Sequence, residues 1–284
     1  MLETLIHPKE SEKAPWKMFF VGLVYASLSL ILVHFFFRSD YLSKFSGMIV
    51  VTFCVMFTLP YMYYLIKQEA RQDERVTSFF GIWKFHSDAI FSLMFLFLGF
   101  VIAFSFWNIV LEDPNLFNAQ VGVYCTINSP GQIDQCIKEY TITNTRLITG
   151  NATKAGRFLS ILQNNIYVMI FTLIFSFIFG AGAIFVLAWN ASVISAAIGI
   201  YSEYKIINIP LAFGRYMIHG IPEIAAYFIT ALAGGMFGAS AIRNGIKSKT
   251  FRIVLGNIFV LLFIALLVLI FAALIEVYLT PKLF

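Results

Sequence analysis

His219 and Glu223 stand four residues apart in a stretch, Ile218 to Ala241 (IHGIPEIAAYFITALAGGMFGASA), that is otherwise apolar enough to cross a bilayer. On a helix that spacing puts both side chains on one face, a turn apart. An ionisable group among membrane helices is costly, and as a rule it faces the bundle interior with a partner. Three chemistries are open to the pair. Hydrogen-bonded to Asn164, Asn165, Asn190 or Glu276 on other spans, the two would form a buried polar cluster that fixes helix packing, since polar groups in lipid must find partners. With Glu276 they could instead line a proton or ion path. As a metal or catalytic site they fit poorly. A zinc peptidase helix carries His-Glu-x-x-His, two histidines on one face with a Glu base between them, and here one His stands. His34 in the first span and His86 near an interface are tied to the site by nothing in the sequence. No Ser or Cys nucleophile has a base near it. No catalytic residue, metal ligand set or cofactor is therefore expected, and the Gly-rich Gly180-Ala181-Gly182 lacks any phosphate-loop context.

The elements that must hold this segment follow from composition. Hydrophobic residues make up 60% of the 284 and charged residues 12%, against roughly 45–50% and about 25% in soluble domains. The expected fold is an all-α, polytopic transmembrane helix bundle. The net charge of +5 is small for this length and calls for no nucleic acid, because basic residues of membrane proteins mostly mark cytoplasmic loops. No cleavable signal peptide is expected, because the first fifteen residues are polar and the apolar run after Lys17 is too long for an h-region.

About 20 apolar residues make a span. The expected spans are Met18 to Phe37, Phe45 to Ile66, Ala89 to Val110, two within the nearly uncharged Ile161 to Tyr201, the His219 segment, and Val254 to Leu279. Residues 67–88 are the most charged stretch. They should start as a helical extension and end as an interfacial helix, with Phe79, Phe80, Trp83 and Phe85 at the headgroups. Ile161 to Tyr201 should break at Gly180-Ala181-Gly182 or near Asn190, as a tight hairpin or a re-entrant pair. Residues 202–217 read as an interfacial connector, which would put Pro222 in the first helical turn, where spare N–H groups tolerate it. Close approach of neighbouring helices is expected along Gly220, Gly234, Gly235 and Gly238. Glu276, near the end of the last span, could equally snorkel to the headgroups.

Residues 111–160 form a polar loop with turn signals at Asp113-Pro114, Asn128-Ser129-Pro130-Gly131 and Thr149-Gly150-Asn151. Cys125 and Cys136 flank the second of these, which suits a disulfide closing a small cap in an oxidising exterior; two free thiols are the alternative. Asn151-Ala152-Thr153 is a glycosylation triplet of the kind that arises by chance. With the N-terminus inside, the inner segments hold Lys9, Lys13, Lys17, Lys67, Arg71, Arg75, Lys84, Arg243, Lys247, Lys249 and Arg252. The outer set holds nine, four of them in the long loop, which counts weakly. The expected topology is seven crossings in the cell membrane, N-terminus cytoplasmic, with the C-terminus and loop 111–160 extracytoplasmic.

The second half resembles the stage II sporulation protein M family. The resemblance rests on Asn164-Asn165 opening a span, Gly180-Ala181-Gly182, Asn190 a helix later, His219-Gly220-Ile221-Pro222-Glu223, and Ala233-Gly234-Gly235. It continues through Ala272-Ala273-Leu274-Ile275-Glu276 to Thr280-Pro281. The His-Gly-x-x-Glu element and the late Glu before Thr-Pro are the most specific. Ile218 stands where the family usually has Pro, and Asn190-Ala191 where it has Asn-Gly. The resemblance covers roughly residues 85–282, so residues 1–84 read as an added two-span hairpin with its linker, and 85–284 as the family's membrane domain. It implies a non-enzymatic scaffold or anchor in an envelope or membrane-remodelling complex, as the sporulation member is with cell-wall hydrolases. The alternative is a transporter or channel using a His219, Glu223 and Glu276 path. The expected surroundings are the lipid bilayer and envelope-complex proteins, with a homo-oligomer left open.

Overall fold

A computed structural model describes residues 13–37, 41–73, 79–111, 113, 115–128, 132–141, 154–179 and 183–284. Most of the described residues are helical, and they contain no strand. The long helices are α1 (Lys17–Phe37), α2 (Ser46–Asp73), α3 (Phe79–Val110), α6 (Lys154–Phe179), α7 (Ala183–Tyr201), α8 (Ile209–Asn244) and α9 (Lys249–Leu274). All seven are long and apolar enough to cross a membrane. A π-helical turn, Ile275–Leu279, and a last helical turn, α10 (Thr280–Leu283), continue α9. Between α3 and α6 lie two short helices, α4 (Asn118–Asn128) and α5 (Ile133–Thr141). Seven crossings put α4, α5 and the C-terminus on one face, called here the loop face, and the start of α1 on the other.

Helices are the only open structure that leaves no backbone N–H or C=O bare in hydrocarbon. α6 and α7 are each long and apolar enough for a full crossing, as the tight pair requires. Asn190 sits inside α7, so the break does not fall there. The alternative break, Gly180-Ala181-Gly182, lies outside the described residues, between the end of α6 and the start of α7.

Two boundaries differ from the sequence expectation. Residues 209–217 are not an interfacial connector but the first turns of α8, a helix of 36 residues with Pro210 at its start. Its length of about 54 Å exceeds the roughly 30 Å hydrocarbon thickness, so the apolar run marked only part of the helix. Pro222 is therefore in the helix interior, where its missing N–H leaves the carbonyl one turn earlier without its helical partner. Likewise, residues 79–88 form no separate interfacial helix: α3 runs unbroken for 32 residues from Phe79. The side chains of Phe79, Phe80, Trp83 and Phe85 lie outside the described residues, as does the Asn151 triplet.

The core is centred on α8, whose residues from Ala226 to Met236 are all buried. α6 packs on it where side chains are absent: a Cβ added at Gly234 would lie 2.7 Å from the Leu173 carbonyl oxygen, and one at Gly238 2.8 Å from that of Phe177. Gly235 meets α2 instead, its missing Cβ falling 2.7 Å from Ile66 Cγ2. Gly220 differs from the other three. A Cβ there would make only ordinary contact with Met217 and Ile194, so its small size is not what the packing requires. A further close crossing, between α1 and α3, was not evident from sequence: a Cβ at Gly99 would stand 2.8 Å from the Leu23 nitrogen. Trp107 Nε1 donates to Ser27 Oγ at 2.9 Å along the same contact. α1 and α2 thus belong to the same bundle as the rest.

On the loop face, α4 and α5 are joined by a Cys125–Cys136 disulfide, so the cap is a helical hairpin. Gln120 of α4 pins it to the bundle, its Nε2 donating to the Gly47 carbonyl at 3.0 Å and to Ser192 Oγ at 3.1 Å.

Candidate functional site: a polar seam between α6, α8 and the last helix

His219, Glu223 and Tyr227 recur every four residues along α8 and so share a face. The Tyr227 hydroxyl, fully buried, donates to Glu223 Oε1 at 2.9 Å. One turn nearer the loop face, His219 Nδ1 lies 3.3 Å from Thr280 Oγ1. The Thr280 hydroxyl also donates to the Ile275 carbonyl at 3.2 Å, which leaves its oxygen free to accept from the imidazole. The π turn shapes this side of the seam. Such turns insert one residue into a helix and are frequent at functional sites. Here the turn spans Ile275–Leu279 and carries Glu276, which comes within electrostatic range of Glu223 and Tyr227. Glu276 is half-buried.

α6 contributes Asn165, which is 3% exposed. Its amide faces Glu223, yet Nδ2 closes no hydrogen bond of ordinary geometry. Asn164 points outward from the seam; its Nδ2 donates weakly to Asn165 Oδ1 at 3.3 Å. Asn190 does not supply the cluster. Its Nδ2 donates at 2.7 Å to Val186, four residues back in its own helix, the local bond that polar side chains in helices readily make. Of the six residues singled out from sequence, Glu223, Asn165 and Glu276 come together, His219 stands one turn along and contacts Thr280 instead, Asn164 supports from the edge, and Asn190 bonds within its own helix.

The loop-face end of the seam is basic and aromatic. Arg157 and Arg215 both act electrostatically on Glu276. The Arg215 guanidinium stacks 4.8 Å from the Tyr201 ring centroid, and Tyr216 bridges Tyr201 and His219 with ring centroids 6.3 and 6.4 Å away. Tyr124, beside Cys125 in the cap, interacts with Tyr216 and Arg215. Burial raises its hydroxyl above the ordinary tyrosine value, against the smaller opposing pulls of Tyr216 and Arg215. The disulfide hairpin therefore rests directly on the polar seam.

Sequence reasoning missed Tyr227, Arg157, Arg215 and the two cap-side tyrosines, and took Thr280 only as part of the family motif, not as a member of the site. The four-residue spacing from Glu223 to Tyr227 was a usable signal; the others depend on contacts between distant segments. A second polar contact was missed altogether. His86 Nδ1 lies 2.6 Å from Glu69 Oε2, with side chains 0% and 1% exposed, joining α2 to α3 near the face opposite the loop. Arg243 Nη2 donates beside it to the Ala70 carbonyl at 3.1 Å. Among the described residues, no three His, Cys, Asp or Glu side chains gather as a metal-holding group.

Seven crossing helices around a polar seam define a multi-pass membrane protein. The family model of stage II sporulation protein M matches residues 89–281, and the chain belongs to that family. The match begins in α3 and ends in α10, so it takes in the whole seam. No match was found among curated proteins or among solved structures.

Proposed function

We propose that the protein is a non-enzymatic membrane scaffold or anchor, serving an envelope or membrane-remodelling complex through its cap. The observation that carries this is how the chemistry-bearing side chains are used. Glu223 is bonded by Tyr227 of its own helix, and His219 contacts Thr280 of the last one. Such bonds rigidify a bundle and specify its packing. Family membership agrees, since the sporulation member is an anchor rather than a catalyst. The cap supplies a cross-linked surface on the face where the seam opens. We place the N-terminus in the cytoplasm and the loop face outside, on the Lys and Arg distribution and the paired cysteines.

Native electrophoresis of mildly solubilised membranes tests the role. The wild-type chain should run in an assembly larger than two copies, and replacing residues 115–141 by a short linker should abolish it without unfolding the spans. Glu223→Gln should leave the assembly intact. Migration as a lone chain, or a proton flux in proteoliposomes that Glu223→Gln abolishes in folded protein, would overturn the scaffold in favour of transport. Orientation has its own test. An impermeant thiol reagent on intact cells should label Gln132→Cys and not Lys247→Cys, and the reverse pattern rejects the placement.

A further inference from the structure

α6 is the least enclosed of the seven long helices, with 11% of its apolar window buried. Its buried residues within the described side chains are Asn165, Thr172 and Ser176, one stripe that faces α8. The Ser176 hydroxyl donates to the Ala231 carbonyl there. At 100° per residue, Ser160, Gln163, Tyr167, Ile170 and Ile174 fall on the opposite side, and all five are exposed. Asn164 and Phe171 flank them. The spacing of three and four residues is that of a helix-packing seam.

Lipid would not select that seam. Gln163 Nε2 donates to the Tyr167 hydroxyl oxygen at 3.0 Å, which leaves the amide oxygen, a second N–H and the tyrosine O–H pointing outward. α6 is 26 residues long, about 39 Å. Gln163 stands nine residues from its start, about 14 Å along the axis. A hydrocarbon slab of about 30 Å placed anywhere along this helix keeps Gln163 inside it. Polar side chains at membrane depth are characteristic glue between helices.

We propose that this outward face of α6 is where a second copy of the chain docks. The occupant follows from the chemistry of the exposed groups. An amide carries donor and acceptor on one edge, so Gln163 and Asn164 can pair with themselves across a two-fold axis, as an isologous interface requires. A charged partner helix would want a countercharge, and the seam within the membrane offers none. Arg157, at its loop-face end, acts on Glu276 of its own chain.

Cysteine cross-linking tests this, because Cys54 is buried and Cys125 and Cys136 are bonded to each other. In native membranes, mild oxidation should join Tyr167→Cys, and separately Ile174→Cys, into a species of two copies, while Phe263→Cys, lipid-exposed on α9, should stay single. In purified protein at fixed protein-to-lipid ratio, Gln163→Leu with Asn164→Leu should reduce the Tyr167→Cys product about tenfold, the scale of an interhelical amide pair. The proposal is overturned by equal cross-linking at Phe263→Cys, by no two-copy product from either α6 variant, by a product containing a different protein, or by a yield the Leu substitutions leave unchanged. A monodisperse elution of each variant establishes that it is folded. These outcomes are separate from the scaffold test, which concerns assemblies larger than two copies and depends on the cap.

Discussion

Two of the polar contacts within the bundle are built differently. The Glu69–His86 pair joins two neighbouring helices through a contact 2.6 Å long and sealed from solvent, with Glu69 Oε1 left without a hydrogen-bond partner among the described residues. The His219–Glu223–Glu276 seam draws on three helices, holds Asn165 Nδ2 unsatisfied, and ends at two arginines under a cross-linked cap. The pair ties one carboxylate of α2 to one imidazole of α3, so it acts as a rivet between the two helices. In the seam, losing one bond leaves other polar neighbours within reach, so each member matters less and the arrangement can adjust. The π turn marks where the chain departs from regular helix to complete it.

Breaking the rivet should have the largest effect. Glu69→Leu removes the carboxylate beside a fully buried imidazole and should lower stability by about 3–5 kcal/mol, the scale for one lost partner of a buried pair, read as thermal unfolding in detergent. Glu69→Leu with His86→Leu should recover most of that loss. If the double variant is no more stable than the single one, the pair is not acting as a unit.

Opening the cap comes next. Replacing Cys125 and Cys136 with Ser releases a link between residues 11 apart, worth up to roughly 3 kcal/mol to the cap in the chain-entropy model. Hydrogen exchange should rise in 118–141 and at the loop-face end of α8, while the Glu69–His86 region stays protected. Uniform loosening across the molecule would show that the cap does not act on the seam selectively.

Within the seam, Glu223→Leu leaves the buried Tyr227 hydroxyl without an acceptor and should cost about 2 kcal/mol. Glu223→Gln keeps an acceptor oxygen and should cost less than about 1 kcal/mol on the same scale. Equal losses from the two substitutions would mean that shape, not hydrogen bonding, sets the role of this residue. The smallest effect is expected at Asn165. Its Nδ2 closes no bond, so Asn165→Leu should change stability by less than about 1 kcal/mol, and a larger loss would point to a polar contact that completes the seam in the membrane.

Much of the architecture was legible along the chain because hydropathy is a local property. The apolar runs marked seven crossings, the four-residue spacing put His219 and Glu223 on one face, and two cysteines flanking a turn signal announced the cap hairpin. What was not legible is instructive. Pro222 looked like a helix start, since the first turn of a helix tolerates proline, yet α8 begins at Ile209, nine residues before the apolar run does. Asn190 looked like a donor to the seam, but rotation of α7 and a carbonyl four residues back decided otherwise. Glu69 and His86 fell in the charged stretch 67–88, read as a helical extension ending at the interface, because their enclosure depends on how α2 and α3 lie against each other. Composition and period determine that a segment is helical and roughly how deep it runs. Which polar groups meet is decided by the rotation and offset of each helix against its neighbours. Those are set here by missing side chains at Gly22, Gly99, Gly234 and Gly238 and by a single turn of π helix, and they appear only once distant segments are packed together.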